Sequence, residues 1–478
     1  MTSQITEPER GRVSGLPPSL IKIIAVVMLG ALMMQLDMTM TTIATRTLVH
    51  DFHSALITIQ WVTTGYLLAV AATIPLAGWA LERFGARLAW MTSIAVFLFG
   101  SVFCGLAWSP GSLIAFRVLQ GLGAGMVMPV GQAVLVQAAP REKFGRMMAA
   151  MGVPAMVGPV LGPVLGGVLV TSLTWHWIFY INVPVCLAAL ALSVRSMPSA
   201  TAPGRSRLDW LGLALLSPGC AMIVFSLAQS NQYHGFGNVH VLVPLVTGAA
   251  LLAAFSRNAL RIPHALIDLR LFTKRAFASA SASMFASGFV LFGAMGALPL
   301  YYQIARGDSA QHAGLLLIPL GAGMGLSLLI AGRLSDKLAP RTIAMAGLAF
   351  TVVGTCVYTQ LSAGTSDLLL GAAQVCSGIG TGAALVPIMS AAFRGLQPVA
   401  VPRASTSIRI MQQLGGSFGS AALFIIVQHQ LTSQPHTASG LAAAFSTTLW
   451  WVLAFTGAML IPVLFLPGAT RAGMLDSA

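Results

Sequence analysis

"GWALERFGAR", residues 78–87, returns as "GRLSDKLAPR", residues 332–341. Each copy reads glycine, three residues, an acid, a base, three residues and arginine, and the copies stand 254 residues apart. A second echo has nearly the same offset: "GLGAG" at 121–125 matches "GIGTG" at 378–382, 257 residues on. Two echoes at almost one spacing divide the chain into parallel halves built on one plan. Secondary transporters use such halves to place a substrate site near the bilayer midplane and to rock around it.

The composition puts this duplication in a membrane. Of 478 residues, 56% are hydrophobic and 8% charged, with a mean hydropathy of +0.83, whereas a soluble domain carries about 25% charged residues. Apolar runs long enough to cross a hydrocarbon core of ~30 Å as helices recur along the whole length. A barrel would need short alternating segments instead. The pattern predicts an all-α polytopic membrane protein with fourteen helices, at 20–47, 57–81, 87–107, 110–136, 144–171, 175–195, 208–229, 239–256, 276–304, 311–333, 341–362, 366–392, 404–430 and 441–466. The repeat sorts them as 6+2+6: an N-terminal tail at 1–19, a six-helix half at 20–195, a two-helix insert with basic loops at 196–275, a second six-helix half at 276–466 and a tail at 467–478. The N-terminal segment, with Pro17 and Pro18, lacks the apolar run and cleavage site of a signal peptide, so helix one is expected to stay.

The charges predict orientation. Nearly all of the 26 Lys and Arg lie in the N-terminal tail, the C-terminal tail or every second loop, among them Arg83 and Arg87, Arg141, Lys143 and Arg146, and Arg333, Lys337 and Arg341. The alternate loops hold only Arg46 and Arg306. By the positive-inside rule both termini are cytoplasmic and the helix count is even. The net charge of +14 is then a topology signal. Nucleic-acid binding would need a soluble basic domain, and no loop is long enough to be one.

Several chemistries are excluded on residue grounds. The five cysteines fall within predicted helices without CxxC spacing, and the nine histidines form no HExxH, so neither a disulfide framework nor a metal site is expected. The four lysines never follow glycine, which removes the phosphate loop of an ATPase. Short loops without paired carboxylates or a Ser/His/Asp set argue against an enzyme, and no cofactor is expected.

The resemblance rests on motifs in order: "LDMT" (36–39), "QWVTTGYLLAVAATIPLAGW" (60–79), the two loop copies, "RVLQGLGAG" (117–125), "GPVLGPVLGG" (158–167), "WHWIFYINVP" (175–184), "LDWLG" (208–212), "LRLF" (269–272) and "RASTSIRIMQQLGGSFG" (403–419). Together they make the chain resemble a major facilitator superfamily transporter, of the fourteen-helix drug:proton antiporter family of EmrB/QacA type. The resemblance implies a proton-coupled exporter of amphipathic small molecules in a bacterial cytoplasmic (inner) membrane, with a periplasmic adaptor and outer-membrane channel as partners to be tested. A dedicated exporter of one metabolite, or a non-transporting sensor or scaffold on the same fold, are the alternatives.

By the same resemblance, Gly78, Glu82, Arg83, Gly85 and Arg87 form a cytoplasmic gate, with Gly332, Asp336, Lys337 and Arg341 as its second copy. A merely topogenic loop would explain the arginines but not the repeated acid. Gly158, Gly162 and Gly166 share a helical face, with Pro159, Pro163 and Gly167 beside them. Small residues permit close helix packing, and the Gly-Pro pairs resemble the antiporter motif that seals the pathway against leak.

Candidate pocket residues are Gln35, Trp61, Tyr66, Tyr301, Tyr302, Gln303, Arg409 and Gln413. Ordinary packing, an interfacial aromatic belt for the tyrosine pair and snorkelling for Arg409 are the plainer readings. If Arg409 or Arg46 lines the cavity, anionic or neutral lipophiles are favoured over dications. Asp37 is the only acid in the middle of a predicted helix. A carboxylate there costs ~2.5–3.5 kcal/mol on insertion scales and usually marks an ion pathway. With a rise of ~1.5 Å per residue, Asp37 and Arg117 come to similar depth. They are the expected proton-coupling pair, with a static ion pair as the alternative.

Overall fold

A computed structural model describes residues 18–138, 147, 152–197, 208–233, 237–262, 265–308, 310–335, 338–362, 364–397, 400–434 and 437–468. The described chain is helical from end to end. The first set comprises α1 (Pro18–Asp51), α2 (Leu56–Thr73), α3 (Leu76–Gly105), α4 (Pro110–Ala138), α5 (Gly152–Ser172), α6 (Trp177–Tyr180) and α7 (Asn182–Ser196). α8 (Trp210–Gln232) and α9 (Val239–Ala259) pack against each other. The last set comprises α10 (Arg275–Leu300), α11 (Ala310–Leu315), α12 (Ile318–Ser335), α13 (Pro340–Tyr358), α14 (Asp367–Phe393), α15 (Val401–Ser433), α16 (Ala438–Ala458) and α17 (Leu460–Leu464).

Prolines place several of the breaks. Pro184, Pro319 and Pro462 cannot donate to Tyr180, Leu315 and Ala458, and the chain steps between helices at those carbonyls. Pro75 bends the axis without ending it, since Ile74 and Pro75 keep helical dihedrals and Ile74 N–H still donates to Val70 O. Past Pro299, α10 loosens into a π-turn over Tyr301–Ala305. The helical run of α3 is interrupted at Gly85, where φ is 78° and ψ 169°, a conformation open essentially to glycine alone.

Twelve helices among the described residues are long and apolar enough to cross a membrane. The expected fourteen differ from these at two places. The apolar part of α2 is the shorter Trp61–Thr73, and α5 follows residues 148–151, which lie outside the described set.

The repeat is visible in the packing. α4 packs on α2 and α3 as α14 packs on α12 and α13, and α1 lies on α5 as α10 lies on α15. The glycine triplets explain the first correspondence. A Cβ at Gly121 or Gly125 would sit 2.6 Å from Tyr66 O or 2.5 Å from Val70 O of α2, and one at Gly123 would meet Ser93 O of α3 at 2.7 Å. In the second copy Gly378 and Gly382 press on Leu320 and Met324 of α12, while Gly380 presses on Thr351 and Gly347 of α13. Alternate glycines thus let α4 and α14 touch two neighbours at backbone distance.

Candidate functional site

The polar centre of the first set is built on Asp37, which α1 buries completely. Arg117 of α4, also fully buried, donates from Nη1 to Asp37 Oδ2 at 2.7 Å. Asp37 Oδ1 accepts from Gln120 Nε2 and from Asn182 Nδ2, both at 2.9 Å. Arg117 also donates to Gln120 Oε1 at 2.7 Å and, through Nε, to the Val62 carbonyl of α2 at 3.3 Å. Its Nη2 has no hydrogen-bond partner among the described residues. The guanidinium lies 4.1 Å from the Tyr66 ring centroid and 5.7 Å from that of Phe179. Asn182 is steadied in turn by Ser101 Oγ at 2.9 Å. Removing one charge from such a pair leaves the other buried alone.

The other flank of α1 carries α5. A Cβ at Gly158 would lie 2.5 Å from Gln35 Cβ, one at Gly162 would collide with Thr39 Oγ1, and one at Gly166 would come within 3.1 Å of Met40 Cα. Thr39 Oγ1 also donates to Gly158 O at 3.2 Å. The small-residue face of α5 therefore clasps the very turns of α1 that hold Asp37. Gly167 is buried beside it, while the side chains of Pro159 and Pro163 lie outside the described set.

At the Gly85 end of the molecule, Glu82 takes two hydrogen bonds from Arg403 in the first turn of α15, 2.7 Å from Nε and 2.9 Å from Nη2. One turn back, a Cβ at Gly78 would stand 3.1 Å from Thr406 Oγ1 and 3.4 Å from Pro402 O. The first and last helix sets are pinned here by a bidentate ion pair and a close backbone approach. Arg83 is exposed and Arg87 partly buried. In the second copy Gly332 is buried and Arg341 exposed, and Asp336 and Lys337 lie outside the described residues.

The remaining candidates scatter. The Trp61 ring lies tilted against Phe225 of α8, with the ring centroids 5.7 Å apart. Gln303 is exposed and donates to Pro299 O. Tyr301 and Tyr302 are fully buried, Tyr301 donating to Ser362 O at 2.9 Å and Tyr302 accepting from Gln374 at 2.8 Å. Gln413 is partly buried on α15, one turn beyond Arg409, which donates to Gln412 Oε1 at 2.8 Å. Arg306 is held by Asp367 at 2.5 Å, so this basic residue of an otherwise charge-poor loop series is neutralised; the Arg46 side chain lies outside the described set.

Sequence reading missed Gln120, Asn182, Ser101 and Arg403. Gln120 stands three residues after Arg117, one helical turn along the same face, which was the available signal. The repeat offsets carry Arg117 to Gln374, Gln120 to Ser377, Ser101 to Thr355 and Cys104 to Tyr358. There the last helix set holds a small cavity lined by Leu291, Ala294, Thr355, Tyr358, Ser377 and Thr381. One copy of the plan has an ion pair where the other has hydroxyls and space.

The model of the Major Facilitator Superfamily matches residues 27–420. The chain belongs to that superfamily. It is a multi-pass membrane transporter of small molecules and not an enzyme. Among its relatives is the "Multidrug resistance protein B homolog" of Mycobacterium tuberculosis, 37% identical over 414 residues, covering 86% of this chain and 77% of the relative. The "Lincomycin resistance protein LmrB" of Listeria innocua is 28% identical over 392 residues, covering 82% and 83%. Among solved structures, the human organic anion transporter MFSD10 superposes with a TM-score of 0.65 at 15% identity, over 95% of this chain and 100% of that one. The proton:xylose symporter XylE gives 0.61 at 14%, over 92% and 96%. At such identities these two speak to the transporter's fold alone.

Proposed function

We propose that this transporter is a proton-coupled multidrug exporter working by alternating access in a bacterial inner membrane, with Asp37 as the coupling group. The observation that carries the reading is the fully buried Asp37–Arg117 pair, braced by Gln120 and Asn182. Protonating Asp37 converts an acceptor-only carboxylate into a donor and leaves Arg117 without its counter-ion. The two protonation states therefore favour different arrangements of α1 and α4, which is what coupling to a conformational equilibrium requires. α5, seated by its glycines on the same turns of α1, would transmit that change and keep the path closed to leak. The resistance proteins among the relatives support drug-like substrates and the outward direction.

In this reading the bent α2 and the glycine-faced α5 also cross the bilayer, which gives fourteen spans in a 6+2+6 order with both termini in the cytoplasm. Glu82 and Arg403 would then close the cytoplasmic side. A periplasmic adaptor and outer-membrane channel would extend the route beyond the membrane. The test uses proteoliposomes with an imposed pH gradient. Asp37→Asn is expected to abolish uphill substrate accumulation while downhill exchange persists. An Asn variant that still concentrates substrate with unchanged pH dependence refutes the assignment.

A further inference from the structure

The last helix set holds buried hydrogen-bonding capacity that neither the Asp37 centre nor the Glu82–Arg403 pair uses. Tyr358 of α13 and Ser377 of α14 are 4% and 6% exposed, and neither hydroxyl has a hydrogen-bond partner among the described residues. Both line a cavity of about 40 Å³ bordered by α10, α12, α13, α14 and α16. A second cavity, of about 20 Å³, adjoins it: Val290, Leu291, Thr351 and Thr381 border both, and the smaller one continues to Met459. Every bordering residue belongs to the last set, so no part of the wall comes from across the seam between the two sets.

The lining selects what such a space can take. Thr351 Oγ1 donates along its own helix to Gly347 O at 3.2 Å, and Thr381 Oγ1 to Ser377 O at 2.9 Å. Each threonine spends its proton this way and keeps a lone pair to accept with. Tyr358 and Ser377 add hydroxyls that can donate, so the wall holds both donors and acceptors. No Asp, Glu, Lys or Arg borders either cavity, so an ion would find no counter-charge. A water needs ~10–15 Å³ and two to four polar partners. The larger cavity therefore suits a few waters and the smaller one a single water.

We infer that the two cavities form a buried hydration site, in which a short file of waters completes the hydrogen bonding of Tyr358 and Ser377 and continues along Thr351 and Thr381. Its place is the counterpart of the ion-pair centre. The repeat offsets carry Asp37 to 291–294, and Leu291 and Ala294 border the larger cavity. The first set fills its interior with a fixed ion pair and two amides, the last set with neutral, exchangeable molecules. A bridging water hydrogen-bonds nearly as well as a direct partner and can re-form its bonds. α10, α13, α14 and α16 can then shift against one another without stranding a hydroxyl.

Synchrotron hydroxyl-radical footprinting of the purified protein reads the site, because radicals generated from bound water oxidise the side chains beside it. Tyr358 and Met459 border the cavities. Tyr302, whose hydroxyl accepts from Gln374, and Met40 are at least as deeply buried and border neither. Tyr358 and Met459 should be oxidised several times faster than Tyr302 and Met40. Ser377→Ala/Thr381→Val, which strips two hydroxyls from the wall, should slow the oxidation of Tyr358. Tyr358→Phe should lower Tm, because it removes a bond to the water file; a hydroxyl stranded in a dry cavity would give the opposite sign. Oxidation of Tyr358 and Met459 no faster than that of Tyr302 and Met40, an unchanged Tyr358 rate in the double variant, or a raised Tm in Tyr358→Phe would each overturn the site. The comparison within the wild type needs no substitution and decides the matter even where a variant does not fold.

Discussion

Replacing Glu82 by Gln keeps the shape of the side chain and removes its charge. In the structure both oxygens of Glu82 are held by Arg403, at 2.7 and 2.9 Å, and the two side chains are only 15% and 19% exposed. A hydrogen bond to a charged group contributes about 1.5–3 kcal/mol. The remaining exposure screens some of this, and an amide can keep one of the two bonds. A net loss of about 1.4–2.8 kcal/mol remains, a tenfold to hundredfold shift toward the state in which this end is open. Spin labels at Arg83→Cys of α3 and Arg394→Cys at the C-terminal end of α14, both exposed, report the separation of the first and last helix sets at this end in a background stripped of native cysteines. Glu82→Gln should populate a longer distance. The double variant Glu82→Gln/Arg403→Gln should add little beyond it, because the two residues share one interaction. Swapping the charges, Glu82→Arg with Arg403→Glu, should restore much of the short distance. An unchanged distance distribution in Glu82→Gln would show that this pair does not govern the closed state.

Asp37→Asn also leaves Arg117 buried without its counter-ion, so a stability loss of about 3–5 kcal/mol is expected by thermal unfolding, partly recovered in Asp37→Asn/Arg117→Gln. A recovery of pH-driven accumulation along with stability in that double variant would contradict the coupling role. Gly125→Ala pushes a methyl to 2.5 Å from Val70 O and should cost about 1–3 kcal/mol, read as a lower Tm. Gly111→Ala meets nothing within 4 Å and serves as the neutral comparison. Cysteines placed at Gly364 and Arg394, both exposed, should react with an impermeant reagent from outside and inside respectively; the opposite pattern reverses the proposed topology.

What the sequence made legible follows from distances along single helices. Hydropathy and proline positions anticipate most elements, and the repeat identifies which helices correspond. Depth along a helix is a one-dimensional quantity, so the levels of Asp37 and Arg117 can be read from the chain. Azimuth cannot. Whether Trp61 turns toward the seam or toward Phe225 of α8 depends on where α8 docks, and nothing in "QWVTTGYLL" encodes that. Asn182 was hidden for a related reason: a lone amide in "FYINVP" has no meaning until α7 is brought against α1. Arg403 likewise looked topogenic until its helix met Glu82 across the molecule.

The unequal centres of the two helix sets bear on how such a protein can change over generations. A replacement around Asp37 must satisfy a cation, two amides and a glycine-tight neighbour simultaneously, so few sequences are admissible there. Around Leu291, Ala294, Thr355 and Thr381 a replacement alters only volume and an occasional hydroxyl. Duplication has left one copy bound to its task and the other at liberty, and selection for a new substrate can explore the second without dismantling the first.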